Sequence, residues 1–370
     1  MIIQTIIPDL DAIPVPAPLW LLKTLLLLTF LLHLIAMNIL IGSALTAVLT
    51  RFHSKSARRE HSKYLFSEII RELPTFVAAT VTLGVAPLLF VQILYGNLVY
   101  TSSIAIGWFW WWIFPLIIIA YYIFYYLKFK SLKTDKPAAL KTTFLIWIAA
   151  VVLFWISFVF SNNFNLAMQP ARFSALILKC AKGLSLNLGD PVTFPRWLHI
   201  TLGAIAVSGV YRMWRGRSVA VKDAAYSSYQ LNLGYKLFIY PTMANILIGF
   251  VYLILIPDEI MRMLMGQDVV MTALWLAGLG AAMWAMPALK RTIDAPQSLA
   301  LPLGTMLIVI TLISMVILRD MVRTAYQKPF FHLSMTPLDV ALGPIIMFLL
   351  AFVIGIGIFW WLVKVYVKKR

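Results

Sequence analysis

Two histidines stand inside long apolar stretches of this sequence, His33 in LLHLIAMNILIG (31–42) and His199 in FPRWLHITLGAIAVSG (194–209). Hydrocarbon penalises a polar group without a partner, so an ionisable residue there marks a functional position by default. A neutral imidazole can ligate a haem iron or another metal. It can also hydrogen-bond between helices, and residue type alone leaves both readings open. Nearby cations bear on the first. Lys23 precedes His33 by about 15 Å of helix, and Arg196 lies one turn before His199. A haem ligated near the middle of a span would turn its propionates toward such groups, although either cation can instead snorkel to the interface. Asp320, in VILRDMVR between Arg319 and Arg323, is half of a helix-end ion pair or a carboxylate ligand. Methionine can supply a thioether ligand. Met168, Met243 and Met271 lie near span ends, where apolar packing is the default. Glu68 and Glu72, one turn apart around Arg71, suit an interfacial ion pair, while His53, His61 and His332 fall in loops.

The elements that must position these residues are set by composition. The chain has 370 residues, 62 % of them apolar and 12 % charged, with a mean hydropathy of +0.88. That is an all-α integral membrane protein in a single transmembrane domain over 1–370, not a soluble domain with an apolar core. Each span takes roughly 20 apolar residues. About nine such stretches are found, centred near Phe30, Thr82, Pro115, Val151, Ala204, Ile246, Gly280, Ile308 and Val353. The first follows Pro16 and Pro18 and is too long for the core of a cleavable signal peptide. Trp and Tyr crowd span ends, as in GWFWWWIF (107–114) and YYIFYY (121–126), where interfacial belts account for them. The spacing around His33 does not match that around His199, so no duplication is read.

The net charge of +17 is not spread evenly. With the N-terminus outside and the C-terminus inside, Lys and Arg concentrate in the inner segments 51–63, 128–141 and 212–236 and in the C-terminal tail. This is the positive-inside pattern, and the surplus suits anionic headgroups rather than nucleic acid. The one cysteine, Cys180, rules out an internal disulfide and a thiolate cluster.

Several segments together resemble the large, haem-bearing subunit of cytochrome bd quinol oxidases. They are LLHLIAMNILIG with its upstream lysine, LGVAPLLFVQILYG (83–96), NFNLAMQP (163–170), FPRWLHITLGAIAVSG and LRDMVR (318–323). The resemblance is strongest over 18–215 and weaker over 216–370. It implies a bundle of nine helices like that subunit. It also implies His33 as axial ligand of one haem, His199 as a ligand of a low-spin haem b, and Asp320 where the family has a ligating glutamate. Lys23, Arg196 and Arg323 would serve the propionates, Asn165 would lie beside the haems, and Met271 is the nearest methionine to the second position of the His199 haem.

The departures shape the functional expectation. Span three, Ala105 to Leu127, holds no carboxylate where the family has glutamates, and apolar side chains cannot relay the protons that oxygen reduction consumes. Gln92 replaces a glutamate, and PDEIMRMLMGQDVV is too short to be the family's quinol-binding loop. The expectation is a subunit of a respiratory oxidoreductase in a bacterial or archaeal inner membrane, with one or two haems b. It would move electrons between membrane quinone and an outer-face partner such as a c-type cytochrome, alongside other membrane subunits. The alternatives are a terminal oxidase subunit and a haem-free anchor of a larger complex.

Overall fold

In hydrocarbon a backbone must satisfy its own N–H and C=O groups, so apolar runs of this length fold as helices. The computed structural model describes residues 14–52, 59–133, 140–179 and 182–368. Among them there are helices and no strand. His53 and Cys180 lie outside the described residues. The helices are α1 (Leu19–Phe52), α2 (Arg59–Ala105), α3 (Gly107–Lys133), α4 (Leu140–Leu166), α5 (Phe173–Lys179), α6 (Thr193–Val219), α7 (Ala224–Leu255), α8 (Asp258–Arg262), α9 (Val269–Asp294), α10 (Ala300–Gln327) and α11 (Leu342–Lys368).

Seven of these, α1 to α4, α7, α9 and α10, are long and apolar enough to cross a membrane. The chain is an all-α, multi-pass membrane protein. Two of the nine expected spans fall outside that group. Helix α6 has the length, 27 residues, but carries Arg196, His199, Arg212, Arg215 and Arg217. It sits inside the bundle against α1, α4, α7 and α10, so much of its polar surface faces protein rather than lipid. Helix α11 is apolar from Leu342 to Gly355 and runs on to Lys368.

The extensive contacts are within the antiparallel pairs α1–α2, α6–α7 and α9–α10, and between α1 and α6. Helix α2 is 47 residues long and leaves helical geometry at Tyr95 (φ −136°, ψ 29°). The segment before α1 is tied to the one before α11: Val15 N–H donates to Pro337 O at 2.8 Å, and Ala341 N–H to Pro16 O at 3.0 Å.

Without a hydrophobic drive between helices in lipid, small residues allow the close backbone approach that holds them. Gly209 of α6 and Gly234 of α7 meet in this way. A Cβ on Gly209 would lie 2.6 Å from Gly234 O and 2.7 Å from Phe238 N, and one on Gly234 would lie 2.7 Å from Gly209 O. Gly42 of α1 packs equally closely on α6, where an added Cβ would come within 2.5 Å of Ala204 O. Gly209→Ala should therefore destabilise the protein by about 1–3 kcal/mol, the cost of overpacking. Gly280→Ala, whose added Cβ meets nothing within 4 Å, should not. Thermal unfolding in detergent compares them, and equal midpoints would contradict this packing.

Candidate cofactor site

His33 and His199 each lie against a glycine of the next helix, and only the His33 ring is hydrogen-bonded. His33 Nδ1 lies 3.0 Å from the backbone carbonyl of Thr80 on α2. A carbonyl only accepts, so Nδ1 carries the proton and the neutral ring keeps its lone pair on Nε2. Gly84, one turn beyond Thr80, makes room for the ring: a Cβ there would sit 2.9 Å from His33 Nδ1 and Cε1. On the second helix pair, the backbone of Asn245 on α7 lies beside the His199 ring. Gly249, one turn further, would place a Cβ 3.5 Å from His199 Nδ1. That nitrogen is buried and has no partner in hydrogen-bonding geometry. The pairs α1–α2 and α6–α7 thus repeat one arrangement: a histidine on the first helix, and on the second a carbonyl followed one turn later by a glycine. The relation lies in contacts between helices, which local sequence spacing does not display.

About 15 Å of helix from His33, Lys23, Asp320 and Arg323 come together. Lys23 Nζ is 2.9 Å from Asp320 Oδ2, and Arg323 Nη2 bonds Asp320 Oδ1. Asp320 and Arg323 are buried. Both carboxylate oxygens are engaged, so Asp320 would have to release one cation to ligate a metal. The Arg323 guanidinium also lies 3.9 Å from the centroid of the Tyr95 ring, at the kink of α2. Arg319 lies 4.6 Å over Phe30, whose ring is 6.4 Å from that of His33. It also feels the charges of Arg196, Arg323 and Asp320.

Arg196 is buried and reaches the loop after α4: Nη1 donates to Asn165 Oδ1 at 3.1 Å and lies 3.4 Å from Met168 Sδ. Asn165 Nδ2 donates to Asp190 Oδ2 and, at 3.0 Å, to Thr193 Oγ1. Gln169 Nε2 donates to the same carboxylate oxygen at 2.7 Å. The Asn-x-x-Met-Gln stretch is therefore the end of α4 with the turn that follows, folded onto the start of α6, and its side chains position Arg196.

Met271 is elsewhere. It is buried in an apolar cluster with Val192, Leu253, Ile256, Leu318 and Val322. Val192 precedes His199 by two helical turns, about 10 Å, which leaves the Met271 thioether near the helix ends. His332, in the loop before α11, is exposed.

Sequence reasoning missed two features. Arg319 joins the Asp320 cluster, although its place beside Asp320 and Arg323 could have flagged it. At the opposite end of the bundle, Glu68 and Glu72 pair not with Arg71 but with α6. Arg212 bonds Glu72, Arg215 bonds Glu68, and Arg215 Nε is 3.0 Å from Glu72 Oε1. Tyr226 Oη and Gln230 Nε2 donate to Glu68 at 2.7 and 2.9 Å. Two acids one turn apart on α2 and two arginines nearly one turn apart on α6 were a legible match.

Chemically, a neutral imidazole whose Nδ1–H is held by a carbonyl is arranged as a metal-ligating histidine is, with Nε2 left to coordinate. Among the described residues no group of three His, Cys, Asp or Glu side chains converges to hold a bare metal ion. The Lys23 end gathers four cations, Lys23, Arg196, Arg319 and Arg323, around Asp320, with Asp190 reached through Asn165. A surplus of positive charge, of which Arg196 and Arg323 are buried, attracts an anion. No family model matches the chain, and no curated protein matches it.

Asp320→Asn leaves Lys23 and Arg323 without their carboxylate, and removing one partner of a buried pair costs about 3–5 kcal/mol. Lys23→Met, which keeps the Asp320–Arg323 bond, should cost much less. Thermal unfolding of the two variants checks this order, and the reverse order would contradict it.

Proposed function

We propose that this chain is a haem b-binding electron-transfer subunit of a respiratory membrane complex related to the cytochrome bd oxidases. It would move electrons between membrane quinone and an outer-face redox partner such as a c-type cytochrome. The observation that carries the reading is the placement of His33 and His199 against glycines of neighbouring helices, on a bundle with one end rich in cations. Haem supplies one-electron chemistry when bound, and the protein supplies ligands, burial and charge. An iron that brings its own porphyrin ligands needs only one or two side chains, in keeping with the lack of a three-residue metal group among the described residues. Its propionates supply the anions that Arg196, Arg319, Arg323 and Lys23 call for.

In this reading His33 and His199 are axial ligands, with the Thr80 carbonyl and the glycine cradles at Gly84 and Gly249 fixing their rings. Asn165 and Met168 hold Arg196 in place. Asp320 fixes Lys23 and Arg323 as a charged frame and is a ligand only if it gives up one of them. Met271 is a weak choice as a second axial ligand, since it packs in its own apolar cluster. The topology proposed is nine spans, N-terminus outside and C-terminus inside, in a bacterial or archaeal inner membrane, together with other subunits. The Lys23 end then faces outward, toward the redox partner. Terminal oxidase activity is disfavoured because α3 has no carboxylate.

A second reading, a haem-free anchor of a larger complex, is favoured by the His33–Thr80 contact and the closed Lys23–Asp320–Arg323 bridge. Both are what interhelical fastening needs. Pyridine haemochrome analysis of the purified chain separates the two. The electron-transfer reading predicts b-type haem in the wild type, lost in His33→Ala or His199→Ala and kept in His61→Ala. Folded protein without haem would leave the anchor. Oxygen uptake driven by quinol or reduced cytochrome should be negligible for the isolated chain, and rapid uptake would restore the oxidase reading.

A further inference from the structure

The loop between α4 and α6 lines an open hollow of about 380 Å³ that the haem reading does not use. Its lining includes Arg172, Lys179, Leu176, Leu186, Asn187 and Leu188. Its charged side chains are both cations, and no carboxylate lines it. Asn187 is 2 % exposed; its Oδ1 accepts from Arg172 Nη1 at 3.0 Å, which leaves Nδ2 with no acceptor. The nearest acid in sequence, Asp190, is turned to Asn165, Gln169 and the Val192 N–H. Two cations and a buried amide N–H lacking an acceptor call for an oxyanion. The leucines call for an apolar body attached to it, and the hollow lies on the loop at a bundle end, where headgroups meet the protein.

We propose that this hollow binds the phosphate of an anionic phospholipid, with Arg172 and Asn187 on the phosphate oxygens, Lys179 at the rim and acyl chains along Leu176 and Leu188. The bound lipid would brace the loop that positions Arg196: Thr193 Oγ1 donates to Asn187 O at 3.0 Å and accepts from Asn165 Nδ2, and Asn165 Oδ1 accepts from Arg196. The inference goes beyond the electron-transfer reading and does not depend on haem.

The test is native mass spectrometry of the full chain in detergent, titrated with phosphatidylglycerol, phosphatidylcholine or inorganic phosphate. The wild type should retain phosphatidylglycerol in preference to the other two. Asn187→Asp keeps the shape and the Arg172 contact but opposes an anion, and should weaken the tightest binding about tenfold, the loss of one charge-assisted hydrogen bond. Leu188→Trp, at a side chain that is 51 % exposed, fills the mouth of the hollow with little risk to folding and should do the same. Lys141→Gln, on the separate surface hollow beside Tyr122 and Tyr126, should leave it unchanged. Phosphatidylglycerol binding untouched by Asn187→Asp and Leu188→Trp in folded protein would overturn the proposal. So would equal binding of inorganic phosphate, which would assign the hollow to a free anion. Haem content, measured separately on the same samples, tests the other reading.

Discussion

Charge buried in a low-dielectric bundle must find opposite charge, and the rest of this structure is arranged around that constraint. Asp320 is held between Lys23 of α1 and Arg323 of its own helix, so one carboxylate fastens α1 to α10. Among the described residues Arg319 and Arg196 form no ion pair with a carboxylate, and they add positive charge. At the other end Glu68 and Glu72 meet Arg212 and Arg215 as a balanced set that joins α2 to α6. The paired groups at the Glu68 end balance one another, and those at the Lys23 end leave a surplus. That asymmetry points to an anionic guest at the Lys23 end.

The imidazoles lie along the same helices, between the two charged ends. On α2, Glu68 and Glu72 come first, then Thr80 and Gly84 against His33, then Tyr95 beneath Arg323. On α6, Arg196 comes first, then His199, then Arg212 and Arg215. Gly42 against Ala204 draws α1 and α6 together between them, which makes the two histidine-bearing helices direct neighbours.

Much of the helical architecture was legible, because a run of apolar residues near twenty long has few alternatives to a helix. Helix α6 shows the limit. Its arginines lower its hydropathy, yet they are needed because it is the helix that both charged ends share. The site was legible in part. Lys23, Asp320 and Arg323 were each singled out for a cofactor, and the structure joins them to one another first. Arg196 and Asn165 do meet, through a hydrogen bond that sequence separation conceals. Gly84 stood out only as part of the segment LGVAPLLFVQILYG, and Gly249 passed unnoticed, because a glycine that makes room for a ring on another helix leaves no local pattern. The partners of Glu68 and Glu72 lie more than a hundred residues away, which is why Arg71, the neighbour in sequence, was the wrong choice.

The central claim is that the His33 and His199 imidazoles coordinate iron. Pulsed electron paramagnetic resonance on the oxidised, purified chain, grown with isotopically labelled histidine nitrogen, tests it most directly. The account predicts a ferric haem signal coupled to histidine nitrogen, with the coupling reduced when either His33 or His199 is replaced by alanine. A folded chain with no ferric signal, or a signal without histidine coupling, would contradict it.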